Sequence, residues 1–262
     1  MRDTLVRETY KLQALDRAFA ILDLLGDSST PMGLSDVADG LGLHKSTAHR
    51  FLMVLERHRM VGRTLSGNFR LGLRLFDYGN RAIEQYDLRE CAVRHLKKLV
   101  QEVEETAHLC VLENMRMVYI DKLEPQRSVR MISQIGSSSP VHCTAVGKAI
   151  LAAMSVEDST EMVARLQLGR FTKKTLTTRS ALMREIVRTK RRGYAVDDEE
   201  REEGVRCVAV AIRDTNGNPI AAVSISGPTF RVTGRKLTLF VKKLIECAGG
   251  IHKEMGHTSP KE

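Results

Sequence analysis

Nowhere in this 262-residue chain do apolar residues run on for the roughly 18 positions that a membrane-crossing helix needs. The first dozen residues, MRDTLVRETYKL, also lack the apolar stretch of a secretory signal. A cytoplasmic protein that does not engage a membrane is therefore expected. Cysteine is sparse: Cys91, Cys110, Cys143, Cys207 and Cys247 are widely scattered without a CxxC pair. That spacing suits reduced, mostly buried thiols rather than a disulfide or zinc framework, and no metal or cofactor is expected. Low-complexity tracts are missing, as are the repeated strand–helix–strand units of a nucleotide fold. What the chain does have is positive charge: 41 Lys and Arg against 32 Asp and Glu give a net +9 and a pI near 9.5. An anionic partner is implied. The length and a hydrophobic content of 42% allow two compact domains, each with its own core.

The charge is concentrated. Between Gly42 and Leu75, Lys45, Arg50, Arg57, Arg59, Arg63, Arg70 and Arg74 are opposed only by Glu56, whereas residues 1–41 hold seven acidic residues from Asp3 to Asp39. The same segment has the outline of a winged helix-turn-helix. Val37, Ala38 and Leu41 mark the inner face of one short helix, with Ser35 placed to cap it, and Gly42 permits a sharp turn. The next helix buries Ala48, Phe51, Leu52 and Leu55 at spacings of three and four, leaving Lys45, Ser46, Thr47, His49 and Arg50 on the side that would meet base edges in a major groove. Met60–Arg63, the turn Ser66–Asn68 and Phe69–Leu71 read as a hairpin with Arg63 and Arg70 on its arms, placed to touch phosphate or the minor groove. Upstream, Leu15, Ala18, Phe19, Ile21, Leu22 and Leu25 form a helix that completes a three-helix core and ends at Gly26–Pro31.

Beyond a helical linker the pattern changes. Leu88, Ala92, Leu96, Leu99 and Val103 form the stripe of one helix. Short strands are expected at 107–113 and 117–123 around an Asn114–Arg116 turn, at 129–133, at 194–196, at 205–214 and at 220–226, with a loop at 136–140, helices over much of 144–192 and a last helix at about 235–253. This is an α+β domain with an antiparallel sheet flanked by helices. On its strands Ser224 and Ser226 share one face, as do Cys207, Ala209 and Ala211, while Val208, Val210, Ile212, Val223 and Ile225 point the other way. Small side chains on one sheet face leave room for a ligand. If Thr144 opens a helix, the backbone N–H groups near Ala145 and Val146 offer an anion site suited to a carboxylate.

The order of several motifs resembles the IclR family of bacterial transcriptional regulators over nearly the whole chain: Ala14–Ala18 in the first helix, Lys45–Arg50 in the recognition helix, Arg70–Gly72 closing the wing, then His142–Ala149, Gly193–Glu200, Gly204–Ala209 and Ser224–Pro228. The resemblance implies a winged helix-turn-helix domain at 1–72, a linker helix at 73–87 and a GAF-like effector-binding and oligomerisation domain at 88–262. It also implies self-association as dimers, which in the family often pair into tetramers, on a double-stranded DNA operator, with repression favoured over activation. By motif position it assigns Ala145, Val146, Asp197, Cys207, Ser224 and Ser226 to a site for a small organic or aromatic acid. This chain has Thr144–Ala145 where many members carry serine and glycine, a bulkier pocket floor.

Other readings stay open at this stage. Two serines on a strand also serve neighbouring backbone, and Asp197–Glu200 also reads as a solvated acidic loop. A carboxylate beside an acid ligand must be protonated, share a proton or bind a hydroxyl. Cys143 beside His142, and Cys207 on the pocket wall, raise the alternative of a thiol-dependent enzyme fused to a DNA-binding module. An extended run after Pro140 would turn His142 away from Cys143, so no catalytic residues are expected. A second basic stretch, from Arg165 to Arg192 with only Glu185 in opposition, is read as a solvated helical face, with an oligomer or auxiliary nucleic-acid contact as the other possibilities.

Overall fold

A computed structural model describes residues 12–84, 87–127 and 133–255, and the chain divides into two compact units at Ala82/Ile83. The N-terminal unit holds α1 (Gln13–Asp27), α2 (Leu34–Gly40), α3 (Lys45–Arg57), β1 (Val61–Arg63) and β2 (Phe69–Leu71), and α4 (Arg74–Glu84) begins in it. Ile21 and Leu25 of α1, Val37 of α2, Leu52 and Leu55 of α3, and Val61 and Phe69 of the hairpin make one small core. Gly42 turns α2 into α3 at φ +62°, the left-handed conformation that glycine adopts without steric cost. The hairpin is antiparallel, with Val61 opposite Leu71 and Arg63 opposite Phe69. A third extended segment joins it: Met32 and Phe69 exchange backbone hydrogen bonds of 2.9 and 2.8 Å.

Three sequence expectations are corrected here. Ser35 is not the cap of α2. The helix starts at Leu34, and the Asp36 carboxylate accepts from the Gly33 N–H at 3.0 Å, an acidic first-turn residue doing the capping. Leu15 and Phe19 are not in the core but stand 52% and 61% exposed, because the inner face of α1 is centred on Ile21 and Leu25. Phe51 is only half-buried.

The C-terminal unit is a six-stranded antiparallel sheet in the order β5-β4-β3-β8-β7-β6, built from β3 (Thr106–Glu113), β4 (Arg116–Leu123), β5 (Ser138–Pro140), β6 (Ala195–Asp198), β7 (Val205–Arg213) and β8 (Pro219–Pro228). Helices α5 (Asp87–Val103) and α9 (Gly234–Met255) cover one face, packing on Val208, Val210, Ile212, Val223 and Ile225. Helices α6 (Ala145–Ala153), α7 (Val156–Arg165) and α8 (Arg179–Arg192) cover the other, against Cys110, Ala195, Ala209 and Ala222. The alternation of bulky and small residues on β7 and β8 thus sorts them to opposite faces, as their spacing requires. The β3–β4 turn has Asn114 and Met115 both at positive φ, the conformation of a two-residue type I′ hairpin. Residues 138–140, expected as loop, form the short edge strand β5, with Ser139 opposite Met117 and proline at the strand end where its missing N–H costs no ladder bond. The strand expected at 129–133 lies, apart from Ser133, outside the described residues. Among the described residues no helix is long and apolar enough to cross a membrane.

Candidate functional site

Strand register brings the expected ligand residues into rows. Asp197 on β6, Cys207 on β7 and Ser226 on β8 are successive partners across the sheet, and Ala195, Ala209, Ser224 and His108 form the adjacent row. Above these rows lies the start of α6. Thr144 caps it, its hydroxyl accepting from the Gly147 N–H at 3.3 Å and donating to the Pro140 carbonyl at 2.8 Å. The helix sits so close to the preceding turn that a Cβ at Gly147 would fall 2.1 Å from the Val141 carbonyl oxygen, which only glycine avoids. The first helical N–H groups, at Ala145 and Val146, have no acceptor within the helix. Between helix and sheet is a cavity of about 440 Å³, and Ala145, Val146, Asp197, Cys207, Ser224 and Ser226 all line it.

Asp197 is 3% exposed, and burial pushes its carboxyl up to about 7 against the opposing pull of Lys148. Its Oδ1 accepts from the backbone N–H groups of Glu200 at 2.7 Å and Arg201 at 3.4 Å. Near neutrality this group therefore exists in both forms and can donate a hydrogen bond as well as accept one.

Sequence reasoning missed several other wall residues, among them His108, Tyr119, Ser139 and Arg201. His108 is buried and driven down to about 3 by burial and by Lys122, so it is a neutral ring, with Nε2 at 2.8 Å from Ser133 Oγ and Nδ1 at 3.4 Å from Ser226 Oγ. Tyr119, its hydroxyl 3.2 Å from Ser139 Oγ, stacks edge-on against His108 with 5.1 Å between ring centroids. Arg201 adds a cation to the rim and lies 4.2 Å above the Phe171 ring. The available signal for His108 was a polar residue directly before the apolar run Leu109–Leu112, two positions from Cys110 and so on the same strand face; for Arg201, which follows an acidic run in a turn, periodicity offered none.

The thiols are poorly suited to nucleophilic chemistry. Burial pushes Cys143 up to about 12 and also raises Cys207 and Cys110, leaving each protonated at neutral pH. Residues 141–144 form a turn and not the extended run expected after Pro140, and His142 Nε2 lies 2.9 Å from the Gly169 carbonyl oxygen. Among the described residues no group of His, Cys, Asp and Glu could hold a metal ion.

In the N-terminal unit Lys45, Ser46, His49 and Arg50 stand exposed on the first turns of α3, with Thr47 half-buried. Arg63 and Arg70 are both exposed on the hairpin, but their surroundings differ. Arg63 folds back over the Phe69 ring at 4.6 Å and pairs with Glu56 at 3.4 Å. The stretch from Arg165 to Arg192 is less basic in space than in sequence. Lys174 pairs with Asp198 and Glu199, Arg188 and Arg192 share Glu185, Arg165 meets Glu161, and Arg179 donates to the carbonyls of Val163 and Ala164.

Known proteins show the same organisation. Residues 14–64 match the IclR helix-turn-helix domain, and residues 80–253 match the bacterial transcriptional regulator IclR C-terminal domain. The Escherichia coli HTH-type transcriptional regulator XynR is 34% identical over 94% of this chain and 98% of its own length. The Escherichia coli transcriptional repressor IclR is 33% identical over 92% of this chain and 89% of its own. Among solved structures, an IclR homologue from Microbacterium hydrocarbonoxydans complexed with 4-hydroxybenzoate superimposes with a TM-score of 0.80 at 28% identity, over 94% of this chain and all of that one. The chain, with its winged helix-turn-helix followed by a helix-flanked antiparallel sheet, belongs to the IclR family of bacterial transcriptional regulators.

Proposed function

We propose that this regulator binds a double-stranded DNA operator through α3 and the wing, and that a small carboxylic acid held in the C-terminal cavity modulates that binding. The observation that carries the reading is the convergence of Ala145, Val146, Asp197, Cys207, Ser224 and Ser226 on one cavity with free N–H groups at a helix start. A ligand carboxylate at that helix start gains from the helix dipole and from Arg201, while Asp197, near neutrality in both protonation states, donates to the acid or accepts from a ligand hydroxyl. Lys45, Ser46, Thr47, His49 and Arg50 face bases, and Arg63 and Arg70 face phosphate. Self-association into dimers or tetramers accounts for the apolar side chains that α1 and α4 leave in solvent: Leu12, Leu15 and Phe19 at helical spacing, 64%, 52% and 61% exposed, and Phe76, 69% exposed. Repression is the favoured sign, as in the IclR repressor relative.

The test is a fluorescence-anisotropy titration on DNA from upstream of the protein's own coding region and on a scrambled duplex, repeated with 4-hydroxybenzoate, lactate and succinate. Preference for the upstream duplex and an acid-induced change in its Kd of about 5- to 150-fold are expected. Ser226→Val, which adds bulk and removes a hydroxyl, raises the acid concentration giving half the response. Equal binding to both duplexes overturns the operator assignment, and indifference to every acid overturns the effector assignment.

A further inference from the structure

One of the most enclosed large side chains of the C-terminal unit is charged. Lys148, on the first turn of α6, is 0% exposed, and its Nζ bonds Glu200 Oε1 in the turn between β6 and β7. Glu200 is itself 8% exposed, and its second oxygen, Oε2, is buried without a hydrogen-bond partner. Enclosing two charges is costly, and well-packed apolar side chains of similar volume are often as stable or more so. Stability therefore does not account for the pair, and its geometry does.

The pair ties together the two halves of the cavity. Lys148 lies three residues beyond Ala145 on the helix whose start lines one side, and Glu200 lies between Asp197 and Arg201 on the other. Glu200 is held at every polar group but one. Its N–H donates to Asp197 Oδ1 at 2.7 Å, and its carbonyl accepts from the hydroxyls of Thr175 at 2.6 Å and Thr172 at 3.3 Å. The residue before it, Glu199, sits at φ +63°, a left-handed conformation that a non-glycine residue keeps only when its surroundings over-determine it.

We propose that Lys148 is a positioning residue of the effector cavity: through Glu200 it fixes the turn that presents Asp197 and Arg201 to the start of α6, and its charge sets the field in which Asp197 meets an acid. The proposal rests on the reading of this cavity as the effector site. The groups around Asp197 are Lys148 from α6, which favours its charged form, Glu200 from the turn, which opposes it, the N–H groups of Glu200 and Arg201, and the protonated thiols of Cys143 and Cys207. Lys148 has the larger influence of the two charged neighbours.

The experiment is a ¹³C-carboxyl NMR titration of the full chain, with the Asp197 resonance assigned by its loss in Asp197→Asn, together with amide exchange at Glu200 and Arg201. Lys148→Met strands Glu200, and a fold weakened by that is expected. The double variant Lys148→Met/Glu200→Leu removes both charges and regains parental Tm. In it the Asp197 midpoint still moves up, by less than the about 1–3 pH units that loss of an adjacent opposite charge alone would give, because loss of the Glu200 charge pulls the other way, and the two amides exchange at least about tenfold faster. A double variant with parental midpoint and parental exchange overturns the proposal and reduces the pair to packing. Both readouts need no acid, so they judge Lys148 separately from the cavity's role. That role is judged by thermal shifts with 4-hydroxybenzoate, lactate and succinate, and parental protein unmoved by all three sinks the effector reading itself.

Discussion

In the N-terminal unit most of the polar side chains proposed to meet DNA stand in solvent, whereas in the C-terminal unit Lys148, Asp197, Glu200 and His108 are enclosed. The two arrangements follow from what each unit is proposed to recognise. A DNA duplex is larger than the protein face that meets it, so its contacts project outward and stay hydrated until binding, and their removal barely touches the fold. A small acid must be surrounded, so its contacts share the low-dielectric interior with the core. Charge in the first unit is a matter of affinity; in the second it is also a matter of stability and pH.

The largest effect expected from this contrast is mechanical. The N-terminal core consists of few side chains, and Leu52, 0% exposed, is central to it. Leu52→Ala costs about 2–5 kcal/mol by lost burial and cavity formation, a large share of what so small a unit has to spare. Thermal melting followed by circular dichroism is expected to split, with an early transition for the N-terminal unit and an unmoved later one for the sheet. A single transition lowered as a whole would break the comparison, because the units would then be one cooperative block.

Next comes the pH dependence of the buried side. Asp197 has its folded-state titration raised to about 7 from an ordinary value of 3.8, so its contribution to stability is fully present at pH below the ordinary carboxylate range and is lost as pH rises through about 7. Asp197→Asn keeps an oxygen for the Glu200 and Arg201 N–H groups and carries no charge. Its Tm relative to the parent protein is therefore expected to be near zero difference at pH 4 and positive at pH 8, measured by calorimetry of the acid-free protein. A difference that does not grow between those two pH values would place Asp197 in solvent-like surroundings, contrary to its 3% exposure.

How much of this was legible beforehand differs between the units for the same reason. The recognition helix, the glycine turn and the hairpin depend on contacts a few residues apart, and Ala48, Leu52, Leu55 and the wing came out where spacing put them. The sheet faces were also legible, since alternation on β7 and β8 is a local property. What escaped was set by contacts distant in sequence: the bridge from Met32 to Phe69, the edge strand at 138–140, the turn at 141–144, and the cavity wall supplied by His108, Tyr119 and Arg201. Lys148 escaped too, because its partner Glu200 is 52 residues away and a lysine on an amphipathic helix reads as solvated. The exposed Leu15 and Phe19 erred in the other direction, periodic apolar residues that face outward.

The smallest effects sharpen the exposed side of the comparison. Arg50→Ala, on the outer face of α3, is expected to cost about 1–3 kcal/mol of operator preference over scrambled DNA while the unit's stability changes by less than about 0.5 kcal/mol. Arg70→Ala is expected to weaken binding to all sequences alike and to reduce the slope of log Kd against log salt by about one, the signature of one lost phosphate contact. Arg63→Ala should do less. Its guanidinium is already engaged by Glu56 at 3.4 Å and by the Phe69 ring at 4.6 Å, so reaching a phosphate means giving up an ion pair, and the two exchanges partly cancel. Anisotropy titrations across a salt series separate the two arginines. If Arg63→Ala flattens the slope as much as Arg70→Ala, then Glu56 releases its partner on the duplex, and Glu56→Gln should raise affinity for every sequence.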